Sequence, residues 1–460
     1  AHLIKFTLGP LVSCCLLLPR HAIAVCVVFC ALKAARALLA ARCRAGPGKL
    51  RVMIVGDSFA PKVDGPRFFA EHTIRQLVED GHEVHVYCSN GDATIGPELQ
   101  GASVTRGLGI EVFPSHSITL PSPRFISAMA TFKPHIVHLL DTHPGCIGFL
   151  LICWVLAVPA VISHHSRVDL YSVAVCHDLP KHAWGRFAAL AIVRIFPRVM
   201  RALFLLFFPL ASGHLLLDPS QKRQPWFFRL PNVRPWSSAC DCRCQFHPKW
   251  RDTAVRLKLS GGRPDLPLVI FVGRLSPEKQ VSKLAELVQT VNAPGQPECC
   301  RFAIIGDGPS IDEIKRGVGH RRDVYLAGIL VGEELYRAYA SADLLFSPTI
   351  TGTLDLVFLE GQASGLAVVG PRAVAVPYVV KEGVTGLLYR PLDMRDARRA
   401  ILQSIPQLPR LKAAARAHAE ASFQWSTVTA EATAMYTETL HRAHGADTSL
   451  AARRPAPGPS

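Results

Sequence analysis

Acidic side chains are absent from residues 1–56, where every charged residue is Lys or Arg. An apolar, acid-free and arginine-containing amino end is typical of an organelle transit peptide. Arg20 and Lys33 divide the region into apolar runs shorter than the ~20 residues of a membrane-spanning helix. The sequence therefore predicts a basic, apolar targeting or membrane segment over residues 1–47, with a signal anchor whose charged flanks snorkel as the alternative. We expect a membrane-associated protein, in the chloroplast or another organelle, or alternatively anchored in the endomembrane system.

Charged residues are scarce in the whole chain, since they make up 19% of its 460 residues against 49% hydrophobic residues. This composition excludes a disordered chain, and the length indicates two or three domains with large cores. The formal net charge of +16 favours anionic partners. The sequence contains no nucleic-acid reader motif and no stripe of basic and aromatic residues. We therefore expect a phosphate-bearing substrate or an anionic membrane surface as partner, and no nucleic acid.

A metal-binding pattern is also missing, although the chain has 14 cysteines. Cys240, Cys242 and Cys244 alternate with other residues, which is not a common zinc spacing, and no second pair follows them. Several other cysteines lie inside apolar stretches. The pattern predicts buried thiols in a reducing compartment and neither a disulfide framework nor a metal site.

The clearest chemical signal is a short apolar strand followed by two cations. The apolar run 268–272 breaks at Gly273, and Arg274 and Lys279 follow on a short loop. Such a bounded run is typical of a strand in a parallel sheet, and ligands bind at the carboxyl ends of these strands. Two cations placed here suit a diphosphate, because they meet its charge from two sides. A solvated loop after a core strand is the alternative.

The amino-terminal half has a similar alternation of strands and helices. Residues 50–55 predict a strand, a glycine-containing loop leads to a predicted helix over 68–79, and a strand follows at 83–88, which makes a βαβ unit. Further along, two apolar runs end in histidine, at His138 and at His165. A histidine at the carboxyl end of a buried strand points into the crevice of such a fold.

Five segments resemble, in order and spacing, the carboxyl-terminal half of the retaining family 4 glycosyltransferases: LVIFVGRLSPEK, FAIIGDGP, VYLAGIL, EELYRAYASADLLFSP and LDLVFLEGQASGLAVVGP. The resemblance covers residues 50–440 and implies an α/β protein of the GT-B fold, with two doubly wound Rossmann-like domains facing a cleft. The implied parts are an amino-terminal acceptor domain at 48–245, a nucleotide-sugar domain at 246–422 with a linker near 246–266, a terminal helical segment at 423–445 that returns to the first domain, and a tail at 446–460.

The resemblance also implies site residues. Arg274 and Lys279 match the family's diphosphate clamp, and with His165, near the reacting centre, they form the implied catalytic set. His165 is expected to donate a hydrogen bond to a sugar hydroxyl, and Glu360 to accept bonds from two ribose hydroxyls. The implied donor-binding residues are Gly65, Gly273, Arg274, Lys279, Gly306, Asp355, Leu356 and Glu360. A tight turn at Gly65 and a capping role for His165 are the alternatives. Because cationic side chains neutralise the phosphates, the resemblance implies no metal and no cofactor beyond the nucleotide-sugar donor.

Three features depart from the family pattern. Gly352 stands where the first Glu of a Glu-x7-Glu motif is expected, and Asp355 replaces a glycine that contacts the sugar. The sequence VAVP at 374–377 replaces Gly-Gly-x-Pro. These changes indicate either an altered choice of donor or a loss of activity.

Within the family, the segments 246–279, 303–314 and 332–343 resemble those of sulfoquinovosyldiacylglycerol synthases. The implied reaction moves a sugar with retention from a nucleoside-diphosphate donor, UDP-sulfoquinovose being favoured, to a lipid acceptor such as diacylglycerol. A mannosyl- or glucosyltransferase acting on a lipid or glycan is one alternative. A catalytically inactive relative that binds nucleotide or membrane is the other.

A second membrane-like stretch lies at 188–217, where Arg194, Arg198 and Arg201 interrupt an apolar segment. A helix of this kind can lie in the headgroup plane of an anionic bilayer. A core helix with paired arginines is an equal alternative, because Pro197 and Pro209 limit any single helix.

Overall fold

The structure of the chain is a computed structural model. It describes residues 48–57, 59, 65–89, 99, 101–113, 116–140, 142–143, 145–165, 198–199, 201–224, 227–292, 297–350 and 356–443. The described residues form two α/β units, each built on one mostly parallel sheet.

The first unit contains an eight-stranded sheet with the strand order β4-β3-β2-β1-β5-β6-β7-β8. Its strands are β1 (Arg51–Gly56), β2 (Glu83–Ser89), β3 (Ser103–Phe113), β4 (His116–Leu120), β5 (Ile136–Leu139), β6 (Ala160–His164), β7 (Gly213–Leu216) and β8 (Val233–Pro235), and its helices are α1 (Gly65–Glu79), α2 (Pro123–Phe132) and α3 (Gly145–Val155). Only β4 runs antiparallel to its neighbour, β3. The strand order reverses direction between β1 and β5, which is the switch point where ligands bind in such sheets.

The second unit contains a six-stranded parallel sheet with the order β11-β10-β9-β12-β13-β14. Its strands are β9 (Leu268–Val272), β10 (Arg301–Ile305), β11 (Val324–Gly328), β12 (Leu344–Phe346), β13 (Ala367–Pro371) and β14 (Gly386–Tyr389). The helices of this half are α4 (Thr253–Leu259), α5 (Val281–Val291), α6 (Ile311–Val318), α7 (Gly332–Ser341), α8 (Val357–Ala363), α9 (Val376–Val379), α10 (Met394–Ser404), α11 (Leu408–Ser422) and α12 (Trp425–Ala443). In sequence order the strands read 3-2-1-4-5-6, the doubly wound order, and the switch point lies between β9 and β12.

The final helix, α12, packs on the first unit although it follows the second in the chain. Its buried residues Val428, Ala432, Met435, Tyr436 and Leu440 share a core with strands of the first sheet. The Nδ1 atom of His138 on β5 lies 2.6 Å from the Tyr436 hydroxyl. The indole N–H of Trp236 donates to the carbonyl of Val428 at 2.8 Å. Apolar burial and these hydrogen bonds therefore attach the carboxyl end of the described chain to the first sheet.

The segment 246–266, interpreted above as a linker, is structured and belongs to the second unit. It contains α4, whose Asp252 side chain accepts hydrogen bonds from the backbone N–H groups of Ala254 and Val255. Such an N-cap satisfies donors that a helix start leaves unpaired. Phe246 and Leu259 are buried in the core beneath the second sheet. The linker interpretation was wrong because it missed this short capped helix.

The second membrane-like stretch lies partly outside the described residues, since 188–197 and 200 are not among them. In its described part, Phe204 and Phe208 stack at 4.2 Å and are buried in the first unit. Residues 213–216 form the interior strand β7. This end of the stretch is thus protein core. The targeting segment predicted at 1–47 lies outside the described residues, and none of the helices within the described ranges combines the length and apolarity needed to cross a bilayer.

Candidate functional site

The loops that follow β9 and β10 are held together backbone to backbone at the carboxyl edge of the second sheet. The N–H of Gly273 donates to Ile305 O at 3.0 Å, and the N–H of Leu275 donates to Asp307 O at 2.9 Å. Gly306 has φ +136°, and a Cβ added there would lie 1.9 Å from the carbonyl oxygen of Gly273. Only glycine permits this approach. The loop that starts at Gly273 is therefore held in one position beside the switch point.

Both cations of the implied clamp lie on this loop. Arg274 is exposed directly after Gly273, and within the described residues its side chain makes no hydrogen bond or ion pair. Lys279 is half-buried and ends a 3-10 turn at Pro277–Lys279. An exposed guanidinium without a carboxylate partner, at the edge where parallel sheets bind ligands, suits an anionic ligand.

Glu360 is held by a tyrosine that the sequence analysis missed. It lies in the first turn of α8, where its N–H donates to the carbonyl of Leu356 at 2.9 Å. The Tyr339 hydroxyl on α7 donates to Glu360 Oε2 at 2.6 Å, and the Tyr339 ring packs edge-to-face on Phe246 at 5.5 Å. Tyr339 is buried, which limits the motion of the carboxylate that it holds. The sequence offered no signal for this pair, because Tyr339 matches an ordinary core position of an amphipathic helix.

Some of the positions singled out in the sequence lie outside the described residues or next to their limits. Gly352 and Asp355 lie outside the described residues. Gly65 is the first residue of α1, and residues 60–64 before it lie outside as well. The structure therefore leaves the implied roles of Gly65 and Asp355 as predictions.

Val374, which replaces the first glycine of the family's Gly-Gly-x-Pro, has a strained backbone. Its φ is +46°, in the left-handed region that a β-branched residue rarely adopts. Such strain costs on the order of 1–3 kcal/mol. The backbone at this position thus has a conformation that favours glycine, although the residue is valine.

We expect Val374→Gly to raise the free energy of unfolding by about 1 kcal/mol, because removing the strain outweighs the extra freedom that glycine has in the unfolded chain. Urea denaturation measures this change. Val379→Gly, at a similarly half-buried valine in the nearby helix α9, serves as the control and should lower stability. A loss of stability in both variants would contradict the strain argument.

His165 lies immediately after β6, at the carboxyl edge of the first sheet. Its Nε2 is 3.0 Å from the hydroxyl of Ser163, and its ring contacts Phe69 edge-to-face at 5.1 Å. The Trp236 ring also contacts the His165 imidazole edge-to-face, with the ring centroids 5.8 Å apart. Burial among these groups lowers the pKa of His165 to about 3. The imidazole is therefore neutral at physiological pH.

An ion pair lies at the switch point of the first sheet. The sequence gave no prediction of this pair. Asp57 follows β1 and His143 follows β5, and Asp57 Oδ2 lies 2.6 Å from His143 Nε2. The N–H of Thr119 donates to Asp57 Oδ1 at 2.6 Å. Burial opposes both charges, but for His143 the neighbouring Cys146 and Asp57 outweigh it and hold its pKa well above the ordinary value. For Asp57, the hydrogen bonds and charge of its partners likewise outweigh burial and lower its pKa. Sequence position gave no hint of the pair, since its members are far apart in the chain.

A metal centre has no support within the described ranges, where no group of three or more His, Cys, Asp and Glu side chains is close enough to hold an ion. The Sγ atoms of Cys240 and Cys242 lie 3.5 Å apart in the core, whereas Cys244 is exposed. All cysteines of the described residues are free thiols. Independence from metal and cofactor remains a prediction.

Family models match both halves of the chain. The model described as Glycosyl transferases group 1 matches residues 266–406, and the model described as Glycosyltransferase Family 4 matches residues 63–204. The first range spans the whole second sheet, with the loop that carries Arg274 and Lys279 and the helix that carries Glu360.

Similar proteins include the sulfoquinovosyl transferase SQD2 of Arabidopsis thaliana, 32% identical over 76% of this chain and 65% of that protein. The chain thus spans about two thirds of the length of this relative. A GDP-mannose-dependent alpha-mannosyltransferase of Mycolicibacterium smegmatis is 31% identical over 74% of this chain and 84% of the relative. These relatives share the transferase class but differ in the sugars that their names give.

Solved structures show the same fold. Sucrose-phosphate synthase of Thermosynechococcus elongatus superposes with a TM-score of 0.65 at 16% identity, over 86% of this chain and all of that one. The Anabaena protein HepE in complex with UDP superposes with a TM-score of 0.62 at 14% identity, over 85% of this chain and all of that one. The predicted GT-B fold, with two doubly wound domains, is confirmed, and so is the predicted enzyme class. The chain belongs to the group 1, family 4 glycosyltransferases.

Proposed function

We propose that the protein transfers a sugar, with retention, from a nucleoside-diphosphate donor to a lipid acceptor, with UDP-sulfoquinovose as the favoured donor and diacylglycerol as the acceptor. The observation that carries the proposal is that the second unit contains two suitable groups. Arg274 is exposed and makes no hydrogen bond or ion pair within the described residues, and the carboxylate of Glu360 accepts a hydrogen bond from Tyr339. The similarity to SQD2, a sulfoquinovosyl transferase by name, supports the choice of sugar.

The proposed roles of the site residues follow from their charges and hydrogen-bonding groups. A leaving diphosphate gains negative charge as the glycosidic bond breaks, and Arg274 and Lys279 stabilise that charge from a loop that needs no rearrangement. Glu360 accepts hydrogen bonds from ribose hydroxyls, with Tyr339 orienting its carboxylate. Gly273 and Gly306 allow the backbone to approach the donor closely. His165 provides a neutral hydrogen-bonding group on the facing sheet.

Membrane association is part of the proposal, because a diacylglycerol acceptor lies in a bilayer. The basic segment 1–47 supports it by charge, and an organelle membrane, in the chloroplast or elsewhere, is the proposed location. Arg106, Leu108 and Ile110 alternate along β3 and so share a face, and about half of each of the two apolar side chains is exposed. A basic and apolar strip of this kind suits an anionic bilayer surface.

A mannosyl donor is the second candidate, and the similarity to GDP-mannose-dependent transferases favours it. An inactive relative is the third, favoured by Gly352 in place of a glutamate and by the strain at Val374. The first two candidates differ in the donor consumed. The third differs from both in the absence of turnover.

A donor screen distinguishes the three candidates. The full chain is mixed with liposomes that contain diacylglycerol, and UDP-sulfoquinovose, UDP-glucose, UDP-galactose and GDP-mannose are supplied separately. Release of the nucleoside diphosphate and formation of the lipid product are both followed. We expect a sulfoquinovosyl lipid; a mannosyl lipid would replace the first candidate with the second. Nucleotide binding without release from any donor would support the inactive relative.

Glu360→Ala is expected to raise the dissociation constant of UDP about 10- to 100-fold, as for losing a hydrogen bond to a charged group. Tyr339→Phe should raise it less, because the carboxylate remains but is no longer held. Titration calorimetry with the full chain measures both. Glu334→Ala, at an exposed glutamate on the same helix as Tyr339, is the control and should bind UDP normally. Unchanged UDP affinity in Glu360→Ala would remove Glu360 from the site.

A further inference from the structure

Two thiols touch in the segment that connects the two units. Cys240 and Cys242 lie between β8 of the first sheet and α4 of the second unit, and their Sγ atoms are 3.5 Å apart. The N–H of Cys242 donates to the carbonyl of Cys240 at 2.9 Å, so the chain turns tightly between them. In a disulfide the two sulfurs are about 2 Å apart. A small movement of the two side chains is therefore enough to bring them to bonding distance.

The surroundings of the pair favour reaction at Cys242. Its hydrogen bond with Cys240, together with the charge of Arg416, outweighs burial and lowers the pKa of Cys242. Burial raises the pKa of Cys240. The thiolate is the form of cysteine that reacts with oxidants. Of the two residues, 8% of Cys240 and 4% of Cys242 is exposed, and Arg243 and Cys244, which follow them, are exposed. The pair thus lies just beneath the surface, which suits a small oxidant.

Arg416 on α11 connects the pair to the helix that carries Glu360. Its guanidinium donates to the carbonyl of Cys242 at 3.0 Å and also to the carbonyl of Ala363. Ala363 is the last residue of α8, three residues after Glu360. A shift of the backbone at Cys242 is therefore transmitted to α8 through a single side chain.

A second connection runs through the core of the second unit. The N–H of Phe246 donates to the carbonyl of Asp241, which lies between the two cysteines, at 2.9 Å. The Phe246 ring packs on Tyr339, whose hydroxyl donates to Glu360. Cys240, Phe246 and Tyr339 belong to one cluster of buried residues. Because such a core is close-packed, a displacement at the cysteines is felt at the tyrosine that holds Glu360.

We propose that Cys240 and Cys242 are a redox modification site, at which hydrogen peroxide converts the two thiols into a disulfide and thereby weakens nucleotide binding at Glu360. The effect on nucleotide binding rests on the proposed function, whereas formation of the disulfide does not. No assumption about the sugar or the acceptor enters either statement.

The oxidation proceeds in two steps. The thiolate of Cys242 attacks one oxygen of the peroxide, the O–O bond breaks, and a sulfenic acid and hydroxide form. The sulfur of Cys240 then attacks the sulfur of Cys242, the S–S bond forms, and the displaced hydroxyl leaves with the Cys240 proton as water. In total the two thiols lose two electrons and two protons, and one peroxide becomes two water molecules. A dithiol reductant reverses the modification by thiol–disulfide exchange.

Peptide mass spectrometry of the full chain tests the disulfide without any assumption about function. Trypsin cleaves after Arg229 and Arg243 but not before Pro235, so the peptide 230–243 contains Cys240 and Cys242 and excludes Cys244. The reduced protein is treated with hydrogen peroxide, unfolded in urea, alkylated and digested. We expect this peptide to carry an internal disulfide and no alkyl group, and dithiothreitol applied before alkylation to restore both thiols.

Two outcomes of this experiment would overturn the proposal. One is alkylation of both Cys240 and Cys242 after peroxide treatment. The other is a disulfide that joins either of them to the exposed Cys244. The adjacent thiols Cys299 and Cys300 provide an internal comparison, because contact with Cys300 lowers the pKa of Cys299 to about 7. Oxidation confined to Cys299 and Cys300 would equally refute the assigned site.

Titration calorimetry with UDP tests the consequence for binding. The oxidised wild-type protein should bind UDP about tenfold more weakly than the reduced protein, as for the loss of one hydrogen bond. Dithiothreitol should restore the affinity. Cys242→Ala cannot form the disulfide and should keep its UDP affinity after peroxide treatment. Cys244→Ala removes the exposed thiol of the same segment and should remain as sensitive to peroxide as the wild type.

The two parts of the proposal fail separately. Equal UDP affinity of the oxidised and reduced wild-type protein, with the disulfide present, would refute the effect on the donor site. A loss of affinity on peroxide treatment that persists in Cys242→Ala would refute it as well. If the reduced wild-type protein binds no nucleotide, the proposed function fails and the effect on binding fails with it, whereas mass spectrometry still decides whether the disulfide forms.

Discussion

Arg274→Ala is expected to lower kcat about 100-fold and to leave the free energy of unfolding nearly unchanged. Removal of a single donor that stabilises developing negative charge commonly has an effect of this size. Stability should be preserved because Arg274 is exposed and makes no polar contact among the described residues. Steady-state kinetics with the donor found in the screen, together with urea denaturation, measures both quantities.

The matched control for Arg274 is Arg322→Ala. Arg322 is also an exposed arginine of the second unit, but it precedes β11 and so lies at the amino edge of the sheet. Its removal changes the net charge equally and should leave kcat unaltered. Arg274→Lys should recover part of the activity, because a lysine keeps the charge but not the planar group with its fixed donors. An equal loss in Arg274→Ala and Arg322→Ala would indicate a general effect of net charge and would contradict a clamp at Arg274.

Acid is expected to unfold the first unit before the second. Among the described residues, the buried histidines are His85, His135, His138, His164 and His214, and all belong to the first unit. Burial lowers the pKa values of His138 and His214 to about 3. Their Nε2 atoms are buried and have no hydrogen-bond partner within the described part of the chain. A proton added there creates a charge in a site that is shielded from water, which is costly.

The direction of the pH dependence follows from these pKa values. The unfolded chain binds protons on these rings as the pH falls below 6.5, whereas the folded chain resists protonation down to about 3. The free energy of unfolding is therefore highest above pH 6.5 and decreases as the pH falls from 6.5 to about 3. At pH 4.5, about two pH units below the ordinary pKa of histidine and still above the folded values, each of the two rings costs about 3 kcal/mol, at about 1.4 kcal/mol per pH unit. Together these losses are comparable with the whole stability of a typical domain.

Hydrogen exchange followed by mass spectrometry, at pH 7 and pH 4.5, resolves the two units by their peptides. Peptides of β5, β6 and β7 should lose protection at pH 4.5, while those of β9, β10 and β12 keep it. His138→Gln should reduce the pH dependence, and His320→Gln, at an exposed histidine of the second unit, should not. Simultaneous loss of protection in both sheets would show that the buried histidines do not govern acid unfolding.

Several features were determined by the sequence alone. Short apolar runs that end in glycine predicted parallel strands, because a strand buried on both faces needs apolar residues on both sides of the chain. The order of such runs predicted a βαβ unit in the first half, and the resemblance to the family 4 glycosyltransferases implied two doubly wound domains. The position of Arg274 after β9 predicted that an anionic ligand binds at that edge of the second sheet. The inferences from the apolar runs and from Arg274 use only neighbours in sequence. That is why they were available before the structure.

Other features depend on which distant residues come together, and only the tertiary structure decided them. The Tyr339–Glu360 and Asp57–His143 pairs join residues that no sequence pattern relates. His138 meets Tyr436 across 298 positions of the chain. Hydrogen bonds act over about 3 Å, so their partners are set by how strands and helices pack and not by their spacing along the chain.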